Sequence, residues 1–497
     1  MGLSLAIACT KPADTASRAF RNIVVIIGDD HAAGVLGCYG NDRVQTPHLD
    51  RLATSGVRFD RAYCQSPLCS ASRQSLLTGR YPYAAGVTLL FTSFPDSQHT
   101  IADHLGAQGF ASALIGKHHF NNQGLHGFDT VISQPAYQQY LQAQAVAPLP
   151  DSIAVRPPWR PFKDPARIWL NADVLPGSYP DAHARGTFYA REAIRFMEAH
   201  QDQRFLLWLA FNEPHSPFDF PVEYRGSYDP ADMPLPAGSA EDSAWIPAVF
   251  RDLTEAERQG IVASYYTSVS YLDKNIGLVL DQLDALGLAD STLVIYIGDH
   301  GYLLNDHLRF EKHMMWEEAV RAPLLIRGGS RYGQGRAIDN LVEYVDLVPT
   351  MLQAAGVPAM PTAQGKSLLP LLQGAGAGHK EYVFAVYLVD NKAMIRTRAW
   401  KYIFSTGKYD LGGGYATGNP PTGIRHRLYD LHNDPGETHD VSALPAYADV
   451  LGEMQALMVD HFRQTDSRAA VIAADAPVEV QLAAFCEPPE GESPRER

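Results

Sequence analysis

Cysteine is scarce in this chain: five residues in 497, Cys9, Cys38, Cys64, Cys69 and Cys486, with no C-x-x-C spacing. That excludes a disulfide-stapled scaffold and the common zinc-finger arrangements. A basic run is missing too. The formal net charge is −14, and nowhere do Lys and Arg concentrate as a nucleic-acid surface requires. No stretch holds about 20 unbroken apolar residues, so no membrane span is expected, and no repeat occurs at solenoid periods. The negative balance does not exclude an anionic substrate. A few cations converging in a cleft outweigh the average field at short range.

What is present suits a loop-rich globular protein: 46% hydrophobic and 19% charged residues, with 40 Gly and 34 Pro. The length predicts two or three units with a large core. Residues 1–20 read as a truncated lipoprotein signal or linker. Leu3 to Ala8 is a short apolar stretch ending in Ala-Ile-Ala-Cys, which makes Cys9 a candidate lipid anchor and a periplasmic or outer-membrane lipoprotein the expected location. It lacks a basic segment in front, so a plain apolar tail is the alternative.

From Arg21 the pattern alternates. Asn22 to Gly28, Ala111 to Ile115, Phe205 to Phe211, Thr292 to Ile297 and Pro323 to Ile326 read as buried strands. Helices are expected from Thr46-Pro47 through Ser55, with Thr as cap, and over Ile101 to Gln108, His183 to His200, Thr254 to Leu286 and Val342 to Ala355. This is an α/β pattern over 21–375. Over 376–476 short strand-like runs follow: Tyr382 to Leu388, Ala393 to Thr397, Lys401 to Phe404 and Arg427 to Tyr429. With a helix over Pro445 to Arg463 they predict a small antiparallel sheet. Thr406 to Gly423 reads as a surface loop and 477–497 as a poorly ordered tail.

Three constellations carry chemistry. Gly28-Asp29-Asp30-His31 and Gly298-Asp299-His300-Gly301 each follow a buried strand, where open α/β sheets place their ligands. Together they offer three carboxylates and an imidazole, suiting a divalent cation held mainly by oxygen. Taken singly, either motif also fits a helix cap or turn. In the third, Ser66 to Arg80, Cys69 precedes a helix start whose positive end would favour a thiolate, with Arg73 one turn on. A lone Cys is more often a buried small hydrophobe.

These residues resemble the sulfatase family, whose signature Cys-x-Pro-Ser-Arg running into Leu-Thr-Gly-Arg is matched by Cys69-Ser70-Ala71-Ser72-Arg73 and Leu77-Thr78-Gly79-Arg80. Agreement extends from Asn22 to about Val441, through Thr46 to Leu52, Ile115 to His119, Pro214 to Pro217, Lys312 to Ile326, Tyr344 to Thr350 and Leu428 to Glu437. The resemblance implies an alkaline-phosphatase-like fold, with a large mixed, mostly parallel sheet flanked by helices and a smaller C-terminal domain. It implies that Cys69 is oxidised to formylglycine by a maturase acting before folding. One hydroxyl of the hydrated aldehyde would then attack sulfur, and the other would expel sulfate.

By family position, Asp29, Asp30, Asp299 and His300 would hold Ca2+, or Mg2+ as the alternative, together with the side chain at Cys69. Arg73 would steady the nucleophile, and Lys117 and Lys312 would clamp sulfate oxygens. His119 would act as base on the nucleophile and His215 on the leaving side. His31, His118, His307, Arg309, His313 and Asn212 lie near these motifs as substrate contacts or packing residues. Trp159, Trp169 and Tyr179, in the irregular stretch from Gln134 to Pro180, would serve specificity or packing.

Two positions depart from the family pattern: Ala71 stands where Pro is usual, which leaves the maturation route open, and His118 stands where Trp is common. The expected substrate is a sulfated carbohydrate. The rivals are a phosphodiesterase or phosphonate monoester hydrolase of the same superfamily, and a glycan-binding protein without catalysis.

Overall fold

The structure, a computed structural model, describes residues 19–374, 378–407 and 423–490. Cys9 and most of the expected loop from Thr406 to Gly423 lie outside the described residues. Strands in chain order are β1 (Asn22–Gly28), β2 (Val57–Tyr63), β3 (Ala111–Gly116), β4 (Thr130–Ile132), β5 (Phe205–Ala210), β6 (Thr292–Gly298), β7 (Leu303–Leu304), β8 (Phe310–Glu311), β9 (Leu324–Arg327) and β10 (Arg336–Glu343). Eight of them form one sheet in the order β10-β2-β9-β6-β1-β5-β3-β4, and β7 pairs with β8 in a separate ribbon. Only β9 runs antiparallel to its neighbours in the large sheet. The sheet is therefore mixed and mostly parallel.

The central strands are apolar on both faces because both faces are covered. In β1, Ile23, Val25 and Ile27 enter one core cluster, while Val24 and Ile26 enter another on the opposite side. The long helix Glu255–Ala285 and the helix Arg185–Ala199 supply Leu272, Ile276, Tyr189 and Ala193 to the second cluster.

Helix α1 (Pro47–Thr54) has Thr46 at its N-cap, but the Thr46 side chain does not cap it. Thr46 Oγ1 instead accepts the Gly37 N–H at 2.9 Å. Asp273, from the long helix, accepts the α1 N–H groups of His48 and Leu49 at 3.0 and 2.8 Å. Burial nonetheless raises Asp273 from the ordinary 3.8 to about 7, against the pull of those two N–H groups. The folded state thus keeps a proton that the unfolded chain releases, so this group's contribution to stability falls as pH rises from 3.8 to about 7. Asp273→Asn is expected to flatten that slope in urea melts between pH 4 and 8. An unchanged slope would contradict the assignment.

The second sheet is antiparallel and four-stranded: β11 (Val383–Tyr387), β12 (Lys392–Arg396), β13 (Trp400–Ser405) and β14 (Arg425–Asp430). The helix Ala448–Thr465 packs on it through Met454, Met458 and Phe462. A second helix, Val478–Phe485, corrects the expected tail. Leu482 and Phe485 are fully buried in the same cluster, with the Phe485 ring stacked on Phe462. A short apolar run after Pro477 is enough to add this last helix, about two turns long.

Two other expectations are corrected. The helix expected from Val342 begins at Leu347, because Val342 and Glu343 end strand β10, and a register shift between Ile338 and Leu341 hides that strand's alternation. The irregular stretch from Gln134 contains a ten-residue helix, Gln134–Ala143.

The two units meet at buried ion pairs. Lys401 of β13, wholly buried, pairs with Glu437 and lies 3.2 Å from Glu317, which also faces Arg396 at 3.4 Å. Glu317 is five residues beyond Lys312, so the small sheet anchors the far end of the run that carries that lysine.

Candidate active site

Strands β1 and β6 are adjacent and parallel, with Gly28 opposite Gly298. That register sets Asp29-Asp30 beside Asp299-His300 at one rim of the sheet. All four residues are fully buried. Asp299 Oδ1 ties the two motifs together by accepting the Asp30 and His300 backbone N–H groups at 2.9 and 3.0 Å. Asp30 itself adopts left-handed backbone, φ +64°, a conformation found at sites that over-determine their geometry.

Helix α2 (Cys69–Thr78) aims its N-terminus at this rim. Every residue in it is buried, and its small side chains permit that. Ser72 Oγ donates to the Asp299 carbonyl, and Gly79, at φ +65°, closes the helix. Arg73, one turn in, donates from Nη2 to Asp29 at 3.0 Å and from Nε to Asp299 at 2.9 Å. No side chain caps the helix N-terminus, so its positive end faces Cys69.

Cys69 Sγ is 3.2 Å from His300 Nε2, 3.6 Å from Lys312 Nζ and 3.8 Å from Asp30 Oδ1. Burial would raise the thiol, but Lys117, Lys312 and His300 together hold it well below its ordinary range. His300 donates from Nδ1 to the Gly301 carbonyl at 2.9 Å, which turns Nε2 toward the thiol. Burial would lower His300, yet Asp299 and Cys69 raise it to about 9.

The carboxylates divide. Asp29 is buried, but Lys117 holds it well below the usual carboxylate range, whereas burial pushes Asp299 up to about 7 against His300 and Arg73. Lys117 pairs directly with Asp29. It is delivered by Gly116 at the end of β3, where φ is +104° and a Cβ would stand 1.8 Å from the Ala210 carbonyl oxygen, so only glycine fits. Lys312 Nζ reaches both Asp30 oxygens at 2.6 Å. Burial lowers the pKa of His119, against the pull of Cys69. His215 Nε2 lies 3.8 Å from Asp30 Oδ2, with Nδ1 on the Ser216 carbonyl at 2.6 Å.

The structure thus gathers every site residue expected from sequence around Cys69. Two sets of potential ligand atoms, Asp30-Cys69-His300 and Asp29-Cys69-Asp299, each lie within 4.8 Å of one another. The neighbouring residues separate. His31 bonds Tyr296 and the Val35 carbonyl, and His307 stacks on Trp316 and bonds Asp242 at 2.8 Å, so both are packing residues. Trp169 is core, and Tyr179 packs against the core. Trp159 lies edge-on to His215, ring centroids 5.3 Å apart. His118 and Asn212 line a cleft beside Lys117. Arg309 donates to the Trp245 carbonyl at 2.9 Å, and the His313 ring faces Tyr387.

Three contributors were not visible as site residues in the sequence. Ser72 holds the Asp299 carbonyl, Gln74 Nε2 holds the His118 and His119 carbonyls at 3.2 and 3.0 Å, and Glu311 is buried beside Lys312. Ser72 and Gln74 sit inside the Cys69 motif, which is the one signal that could have marked them.

A thiol at a helix N-terminus, ringed by three cations and set against a carboxylate rim, defines a hydrolase built to handle an oxyanion ester. The chain belongs to the sulfatase family. The family's model, described as Sulfatase, matches residues 21–357, and one described as N-sulphoglucosamine sulphohydrolase, C-terminal, matches residues 305–464. The N-acetylglucosamine-6-O-sulfatase of Bacteroides thetaiotaomicron is 27% identical, covering 89% of this chain and 86% of that one.

Among solved structures, the phosphonate monoester hydrolase of Agrobacterium radiobacter is similar at TM-score 0.76 and 22% identity, over 91% of this chain and 97% of its own. A protein in complex with its substrate D-glucosamine-2-N,6-O-disulfate gives TM-score 0.72 and 22% identity, over 90% and 98%. At such identities both speak to the fold, which is alkaline-phosphatase-like.

Proposed function

We propose that this sulfatase removes sulfate from a sulfated carbohydrate, using a formylglycine made from Cys69 and a divalent cation, Ca2+ or else Mg2+. The observation that carries the reading is the position of the Cys69 side chain, 3.2 Å from His300 Nε2 and 3.6 Å from Lys312 Nζ at a rim of three buried carboxylates. The named activity of the relative from Bacteroides thetaiotaomicron supports the carbohydrate.

The donor set fits such a cation, being mostly hard oxygen with one imidazole. Asp29, Asp30, Asp299, His300 and the side chain at position 69 would hold it. When bound, the cation supplies neutralising charge at the sulfuryl group. The aldehyde, hydrated, supplies one hydroxyl for attack and a second whose loss of a proton releases sulfate, which a thiol has no means to do.

The chain's other residues have distinct work. Arg73 and the α2 N-terminus hold position 69 in place. Lys117 and Lys312 bind sulfate oxygens and stabilise the charge that grows on them. His119, kept neutral by burial, takes a proton at the nucleophile, and His215 gives one to the departing sugar oxygen. Cys69 is 2% exposed and Ala71 wholly buried, which supports a maturase that reads this segment before folding.

Export belongs to the same reading, with Cys9 as lipid anchor. No helix among the described residues is long and apolar enough to cross a membrane. Protein co-expressed with a formylglycine-generating maturase is expected to release sulfate from sulfated saccharides, and Cys69→Ala to fall to background. Release by that variant at the wild-type rate would refute the proposal.

A further inference from the structure

The reaction centre meets solvent on one side. All its residues are buried except Lys117, His119 and His215. Lys117 and His119 form the inner wall of a cleft of about 670 Å3, and Asn212, three residues before His215, lines it as well. A substrate that rests its sulfate against Lys117 borders this cleft, into which its organic part would extend.

The lining is hydrogen-bonding but almost without charge. Among the described residues around it, Lys117 is the one Lys, Arg, Asp or Glu, and it is already engaged with Asp29. Elsewhere the wall presents amides and a hydroxyl, Asn212, Gln123, Gln139 and Ser133, beside the half-exposed apolar Leu125. The His118 Nδ1 accepts the Phe120 N–H at 3.2 Å, and burial lowers His118 to about 4, so it faces the cleft as a neutral imidazole.

Among the described residues of the adjoining hollow, cations and carboxylates are equal in number. Gln134 is shared with an adjoining hollow of about 170 Å3, where Arg156 and Arg185 face Asp219 and Glu213. Arg156 is 2.9 Å and Arg185 3.7 Å from Asp219. Two cations there meet two carboxylates.

We propose, resting on the sulfatase reading above, that the sugar bearing the scissile sulfate is otherwise uncharged. It is a neutral hexose or N-acetylhexosamine whose hydroxyls and amide are met by the cleft's amides and whose C–H face lies on Leu125. A second sulfate or a carboxylate on that ring is disfavoured, because it would shed water without finding a cation. Amide side chains both donate and accept, which matches sugar hydroxyls.

The test uses maturase-treated enzyme and a panel of neutral hexoses and N-acetylhexosamines monosulfated at each position, each paired with its disulfated counterpart. An aryl sulfate serves as a control without a sugar. The monosulfated sugar should lead its partner by at least ~10-fold in kcat/KM, the scale of one unpaired charge in a binding site. Gln139→Arg should narrow that gap several-fold. Equal rates, or a lead for the disulfated sugars, would overturn the inference. Turnover of the aryl sulfate alone would also overturn it while leaving a sulfatase in place. No release from any substrate, with position 69 converted, would remove the underlying reading itself.

Discussion

Asp299→Ala is expected to abolish turnover, with a loss of at least ~10³-fold, because several kcal/mol of charge stabilisation depends on the cation this carboxylate would hold. The residue also organises its surroundings. Its Oδ1 accepts the Asp30 and His300 N–H groups, and its Oδ2 takes Arg73 Nε at 2.9 Å. Removing it strips a buried guanidinium of one partner, a change on the order of 3–5 kcal/mol in stability. Asp299→Asn separates the two effects. It keeps an oxygen for the two backbone donors but loses the charge and sets an amide N–H against Arg73 Nε, so it should be destabilised less than the alanine variant, bind metal poorly and remain inactive. Activity near wild type with metal retained would sink the assignment.

Lys312→Ala should slow turnover of a sulfate ester by at least ~10²-fold, the scale seen when one charge-stabilising donor is lost. Lys312 is 3% exposed, and its ammonium is held by both Asp30 oxygens at 2.6 Å, 3.6 Å from Cys69 Sγ. Burial would lower its pKa, but Asp30 and Cys69 raise it well above the ordinary lysine value, so it stays charged across the working pH range. The loss should appear in kcat as well as in kcat/KM, since the charge it meets grows in the transition state. Lys312→Arg should recover part of it. A defect confined to KM for the sugar would move Lys312 to recognition of the leaving group.

Much of this site was legible because its landmarks are local. The runs Asn22 to Gly28 and Thr292 to Ile297 are unbroken and apolar, and each ends in its acidic motif, so the meeting of Asp29 and Asp299 at one rim follows from strand pairing alone. What the sequence concealed depends on partners far along the chain. Strand β2 carries Arg58, Asp60 and Arg61, which obscures its alternation, although it lies inside the sheet. The cap of α1 comes from Asp273, over 200 residues away, while the local Thr46 is used elsewhere. The hold of Lys401 on Glu317, which steadies the run bearing Lys312, is likewise invisible until the two sheets pack together.

The central claim is that Cys69 becomes the nucleophile, and intact peptide mass across Cys69, from protein made with a competent maturase, tests it most directly. A loss of about 18 Da, the thiol-to-aldehyde change expected of the activated residue, together with sulfate release, is the predicted result. An unmodified thiol in protein that releases sulfate at full rate would contradict the account.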